Sequence, residues 1–278
     1  MKENINFESI SITNDVMFVS VFRNSENCKE LLQRILGINI EELMIVESEK
    51  SIRTGVSRKG IRLDVYVRDV EGNSYDIEMK LVDTKELDLR SRYYHSEMDG
   101  YQIKRGQKYK NLKESIVIFV CAFDMFGKNY SIYTFETICK EDRTIQLNDK
   151  RKTVFVNILG DREGIGEDTI RLLDYLKTGE VTDKFTASLQ KKVVEFRNDD
   201  EWRENYMTLE MKLDLRYDEG ILKGKADSVI MFLSYKGDVP EELETSICKI
   251  TTEEKLNDLL RLAASCDSID EFVTKAEL

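Results

Sequence analysis

The apolar positions of this chain change period several times before residue 160 and then settle into one. From Ile12 to Leu36 the spacing is helical. Phe18, Val21 and Phe22 fall at i, i+3 and i+4, after Thr13, Asn14 and Asp15, each a good N-cap. Leu31, Leu32, Ile35 and Leu36 form the stripe of a second helix, and Gly37 sits where a C-terminal glycine belongs. Leu43 to Ile52 reads as a strand, Gly55 to Gly60 as a basic turn, and Arg62 to Leu81 as two strands joined by a tight turn. Glu86 to Leu112 lacks proline and keeps Leu87, Tyr94, Met98, Tyr101 and Arg105 close to one face, which predicts a long helix weakened by Gly100 and Gly106. Ser115 to Phe126 is almost continuously apolar, the mark of a strand buried on both faces. Tyr130 to Ile138 and Thr153 to Leu159 read as the last strands.

After Gly160 only the helical period remains. Asp168 to Lys177, Val181 to Phe196, Asp199 to Glu219 (ending at Gly220), Lys223 to Tyr235 and Glu253 to Ala264 all fit it, with the single proline, Pro240, between the last two. A short final helix starts at Asp267 or Ser268. The pattern predicts a mixed α/β core over residues 1–160 and an all-helical appendage over residues 161–278.

Composition adds bounds. Of 278 residues, 41% are hydrophobic and 34% charged, enough for a sizeable core with a well-solvated surface. No segment is long and apolar enough to cross a bilayer, and the first residues lack a signal-peptide apolar region, so the cytoplasm is the expected location. The five cysteines are scattered without a C-x-x-C pair, which argues for reduced, mostly buried thiols. Net charge is −11, but residues 1–160 hold 25 Lys+Arg and 25 Asp+Glu, so the whole excess lies in the second half. Overall acidity therefore does not exclude a basic face on the core.

The hairpin carries the candidate chemistry. Side chains alternate along a strand, so Leu63, Val65 and Val67 share one face and Arg62, Asp64, Tyr66 and Arg68 the other. On the second strand Tyr75, Ile77, Met79 and Leu81 oppose Asp76, Glu78 and Lys80. Burying the apolar rows together puts Asp64, Glu78 and Lys80 on one face, provided the loop has an odd number of residues; Gly72 suits a three- or five-residue turn. Two neighbouring carboxylates repel, and a hard divalent cation such as magnesium or manganese relieves that repulsion. The Met79 carbonyl is a candidate third ligand. Lys80 points the same way and could orient or deprotonate water, or stabilise charge on a phosphate.

The order of elements matches a known pattern. N-D-V-M-F-V-S-V-F, L-L-Q-R-I-L-G-I, the pair R-L-D-V-Y-V-R-D and Y-D-I-E-M-K, then L-R-S-R-Y-Y-H-S, Q-I-K-R-G-Q-K-Y-K-N-L-K and I-V-I-F-V-C-A-F-D-M-F follow one another. This series resembles the PD-(D/E)XK nuclease superfamily, and within it the Rpn family of recombination-promoting nucleases and transposase-like proteins, over roughly residues 10–160. The resemblance implies a restriction-endonuclease-like core, a central mixed sheet flanked by helices, and a magnesium-dependent DNA endonuclease. Asp64 and Glu78 match the metal-binding acids and Lys80 the catalytic lysine. Leu63 replaces the superfamily's proline; Lys80 keeps the parent motif where many members of this branch carry glutamine.

Around these three, the resemblance brings in Asp15 from the first helix, and Arg90, Tyr94 and Gln102 from the long one, as supporting residues. Arg58, Lys59, Arg62, Lys104, Arg105 and Lys108 are candidates for tracking a DNA backbone. His95, the only histidine, reads as a surface helix residue, which disfavours histidine-metal and Ser-His-Asp chemistry. The acidic helices are expected to pair with a second copy, as a dimer. The alternative reading is a catalytically silent nuclease-fold protein that assembles through its helical tail.

Overall fold

Six strands form one mixed sheet, in the order β1-β2-β3-β4-β6-β5, in the computed structural model, among its described residues 5–52 and 61–276. The basic turn, and with it Arg58 and Lys59, lies outside the described residues. β1 (Leu43–Ile52), β2 (Ile61–Asp69) and β3 (Ser74–Lys80) pair antiparallel. β3, β4 (Ser115–Cys121) and β6 (Arg151–Asn157) run parallel, and β5 (Ile132–Phe135) closes the edge antiparallel to β6. This is the mixed α/β, restriction-endonuclease-like architecture the sequence predicts.

The local chemistry explains each part that positions the site. Every residue of β4 is buried, as its apolar run requires. Arg68 faces Ser74 across the hairpin, leaving the five-residue loop Asp69–Asn73, with Gly72 at φ +88°. The Asp69 carboxylate locks that loop, accepting from the Asn73 amide and the Tyr75 hydroxyl, each at 2.9 Å. The parallel step from β3 to β4 needs a crossover. α3 (Leu87–Gln102) supplies it and lays Leu87, Tyr94 and Met98 into one cluster with Tyr66, Val117, Phe119, Cys121 and Phe155. α3 ends ten residues earlier than its periodicity suggests, because the chain turns extended at Ile103 and takes φ +88° at Gly106.

α1 (Asp15–Phe22) is capped by Asn14, which accepts from the Val16 and Met17 amides, so the Asp15 carboxylate is not the cap. α2 (Ser25–Leu36) closes on Gly37 in the left-handed region, at φ +65°. α4 (Glu167–Thr178) and α5 (Lys184–Arg197) follow the sheet. The chain divides into two compact units, Met1–Arg203 and Glu204–Leu278, later than the boundary near residue 160 expected from the change to a purely helical period. Periodicity misses this because α4 and α5 are tied to the rest of the first unit by specific contacts. The Arg34 guanidinium meets Asp183 at 2.7 Å and covers the Phe185 ring, and Thr169 donates to the Arg34 carbonyl at 2.6 Å. Trp202 Nε1 donates to Ser20 Oγ at 2.8 Å.

α6 (Asp200–Ser234) is one helix where the sequence suggests two. Gly220 and Gly224 each weaken it by about 1 kcal/mol, and the packing of its C-terminal half offsets this. Ala226, Val229 and Leu233 share a cluster with residues of α7 (Glu241–Cys248), α8 (Glu253–Ser265) and α9 (Ile269–Ala276), among them Ile247, Leu256 and Phe272.

His95 is not on the surface. It is 2% exposed, with Nδ1 2.8 Å from Ser115 Oγ and Nε2 3.0 Å from Thr153 Oγ1. Burial lowers its pKa from 6.5 to about 4. Between those values the unfolded chain binds the proton that the fold refuses, so this contribution to stability is complete above the unfolded pKa and is lost as pH falls to about 4. His95→Gln should remove roughly 3 kcal/mol of acid sensitivity over that window. Urea midpoints of both proteins across the pH range measure it; parallel curves would refute it.

Candidate active site

The site begins where a ladder stops. β2 and β3 pair from Arg68 opposite Ser74 to Val65 opposite Ile77. At the next residue the Asp64 amide donates to Glu78 Oε1 at 3.1 Å, a side chain in place of a backbone carbonyl. The Lys80 carbonyl accepts from the Ala122 amide, beyond the end of β4. Successive strand carbonyls point to opposite sides, so the Met79 carbonyl faces β2, on the side where pairing has ended. Leu63 joins the cluster that contains Tyr66 instead of sharing a face with Val65 and Val67. Only the β2–β3 ladder has ended here; β1 still pairs with β2, with Lys50 opposite Leu63.

The three residues expected to meet do meet. Lys80 Nζ lies 2.8 Å from Glu78 Oε2 and 3.2 Å from Asp64 Oδ2. Arg90 Nη2, from α3, lies 3.5 Å from the same Glu78 oxygen, and its guanidinium also donates to the Tyr94 hydroxyl, through Nε at 3.0 Å and through Nη2. The Glu78 side chain is 1% exposed, whereas Asp64 is 25% and Arg90 33%, so the cluster is buried on the Glu78 side and open on the other. Burial, then the Asp64 charge, pushes the Glu78 carboxyl above its ordinary value. For Lys80 burial pulls down, but the Glu78 and Asp64 charges override it and hold the ammonium well above the usual range. Burial and the Glu78 charge raise the Tyr94 phenol to about 12.

The remaining candidates separate by position. Asp15 feels the charges of the cluster: burial raises its carboxyl, Lys80 works against that rise and Asp64 adds to it. Gln102 does not reach the carboxylates. It donates to Ser74 Oγ at 2.9 Å, at the far end of β3, about 13 Å of strand from Glu78. Exposed Lys104, Arg105 and Lys108 follow Gln102, in a segment tied back by Gln102 to the Lys113 amide, with the Lys113 side chain against the Gly72 turn. They lie toward the turn end of the hairpin. Arg62 is exposed on β2, two residues before Asp64.

Sequence reasoning passed over Asp76. It is fully buried on the face of Glu78 and Lys80, and neither carboxylate oxygen has a hydrogen-bond partner. Burial, then Glu78 and Asp64, holds its carboxyl well above the ordinary range. The available signal was the apolar run of β4: a sheet covered on both faces has no wet side for a third acid.

Oxygen donors only, two carboxylates and a carbonyl, suit a hard divalent cation. Among the described residues no group of three or more His, Cys, Asp or Glu forms a ready metal cluster. The Lys80 ammonium occupies the position between the Asp64 and Glu78 carboxylates and supplies the positive charge they need.

A mixed sheet whose hairpin brings an acid and an E-x-K together defines the PD-(D/E)XK nuclease fold. A sequence model of the PD-(D/E)XK nuclease family transposases matches residues 12–211, and the chain belongs to that family. No curated protein and no solved structure matches it. The match continues past the sheet through α4 and α5. No helix among the described residues is long and apolar enough to cross a membrane.

Removing the Lys80 charge tests the electrostatics apart from any reaction. Lys80→Met should cost roughly 3 kcal/mol at neutral pH, since it strands a buried carboxylate. The loss should shrink as pH falls, because the Glu78 carboxyl, already pushed above its ordinary value by burial and the Asp64 charge, takes up a proton instead. Added magnesium should restore part of it. Thermal unfolding with magnesium and with EDTA measures both effects; an unchanged midpoint in EDTA at neutral pH would contradict the ion-pair description.

Proposed function

We propose that the protein is a magnesium-dependent DNA endonuclease, able to use manganese, that hydrolyses phosphodiester bonds during recombination or transposase-like DNA processing. The contact of Lys80 with both Asp64 and Glu78, where the β2–β3 ladder ends, carries this reading. Asp64, Glu78 and the Met79 carbonyl would hold the ion. When bound, it supplies positive charge against the phosphoryl oxygens. Asp64, the more open acid, faces the substrate side, while Glu78 is fixed from behind by Arg90 and by the Asp64 amide. Lys80 is held protonated by its carboxylate partners, which favours it as a charged donor that orients water or steadies the developing phosphate charge over a role as base. Tyr94 anchors Arg90.

The DNA path in this reading approaches over Arg62 and Arg90. Lys104, Arg105 and Lys108 would serve DNA that extends toward the turn end of the hairpin. α6 leaves Met207, Met211 and Leu215 exposed at i, i+4 and i+8, on one face over successive turns, and this is where two copies would pair.

Nicking of supercoiled plasmid tests the activity. We expect nicking with magnesium and none with EDTA, and a loss of about 100-fold or more in each of Asp64→Ala, Glu78→Ala and Lys80→Ala. Full activity in all three would sink the site. No nicking with magnesium or manganese on any DNA form would favour the catalytically silent alternative.

A further inference from the structure

Three acids, not two, face the end of the hairpin, and only one of them is unsatisfied. Glu78 has the Asp64 amide, Lys80 and Arg90, and Asp64 has Lys80. Asp76 has nothing at either oxygen, although its residue is wholly buried. It lies two residues before Glu78 on the same face of β3, about 6.6 Å away along the strand. The charges that act on it are those of the site: Glu78, Asp64, Lys80 and Arg90.

An unpartnered buried carboxylate is among the most expensive groups a core can hold. The neighbours of Asp76 do not relieve it. Val117 is its Cα partner on β4, and Tyr66, its Cα partner on β2, bonds Ser74 instead. The two cationic side chains are already engaged by Glu78 and Asp64.

We propose that Asp76 is the third carboxylate of the cation seat, facing the ion directly or through its water shell, and that it sets how tightly the ion is held. This rests on the metal-site reading above. In that arrangement a divalent ion takes over from Lys80 as the partner of Asp64 and Glu78, and gives Asp76 the partner it lacks. The D-I-E pair on β3 then works as one chelating unit, with Asp64 completing it from β2.

Asp76→Asn keeps the shape and removes the charge. Isothermal titration with Mn2+, on the full chain without DNA, should give at least about 10-fold weaker binding than wild type, equivalent to about 1.4 kcal/mol. Thermal unfolding in EDTA should show the variant as stable as wild type or more so. A purely structural Asp76 would move the two readouts together, lowering both; that result overturns the proposal, as does unchanged Mn2+ affinity. If wild type binds no Mn2+, the metal-site reading itself fails, and that failure is distinct from wild-type binding that Asp76→Asn leaves intact. Asp76→Glu, which keeps the charge on a longer arm, should recover part of the affinity in a protein that folds.

Discussion

Everything at this site depends on keeping the Glu78 carboxylate inside the protein. A buried carboxylate is tolerable only when its oxygens are taken, and three elements converge to take them. The Asp64 amide comes from β2, Lys80 from β3 itself and Arg90 from α3. None could do so in a fully paired hairpin. The ladder has to end at Val65 for the Asp64 amide to turn toward a side chain, and α3 has to cross back over the sheet for Arg90 to arrive. The parallel pairing of β3 with β4 makes that crossover compulsory, so the topology and the electrostatics of the site are one constraint.

The two ends of the hairpin are built differently. At the turn end the polar groups near β3 largely answer one another: Asp69 with Asn73 and Tyr75, Tyr66 with Ser74, Gln102 with Ser74 and the Lys113 amide, with Arg68 Nε the exception. At the open end acids outnumber cations and one acid has no partner. The satisfied end fixes the register of β2 against β3, and register decides whether Asp64 and Glu78 meet at all, because a slip of one residue would turn one of them to the opposite face.

Much of this was legible in the sequence because strand alternation is a strong rule. It placed Asp64, Glu78 and Lys80 together and required an odd-numbered loop, which is the five-residue Asp69–Asn73 turn. The rule misled where its premise lapsed. Leu63 still pairs with Lys50 on β1 but lies beyond the last β2–β3 pair, and its side chain joins the α3 side of the core. His95 was misread because a polar residue on a helix looks solvated until the helix is known to lie over a sheet whose Ser115 and Thr153 can satisfy both ring nitrogens. Asp76 is missed for a related reason: alternation places it on the polar face of the hairpin, while the apolar β4 beside it calls for cover on both faces. The change to a purely helical period places the domain boundary near residue 160, but α4 and α5 are held by Arg34, Thr169 and Phe185, which periodicity does not register.

The silent, purely assembling alternative has to account for the balance of charge at the open end. A core that needed only to fold would be as stable, or more so, with apolar residues in place of Asp76 and Glu78, since desolvating charges commonly outweighs the attraction they gain. Nor does the cluster suit the registry role that sometimes justifies buried polar groups, because the turn end already fixes the register. What the arrangement does suit is a missing positive charge, delivered from the side where Asp64 and Arg90 are open to solvent. A divalent ion alone would meet that need, and a divalent ion carrying a phosphodiester would bring the substrate to the face that Lys80 already holds in its charged form. Stability given up at one end of a hairpin, and secured at the other, is the arrangement expected of a site that gains its last ligand from outside.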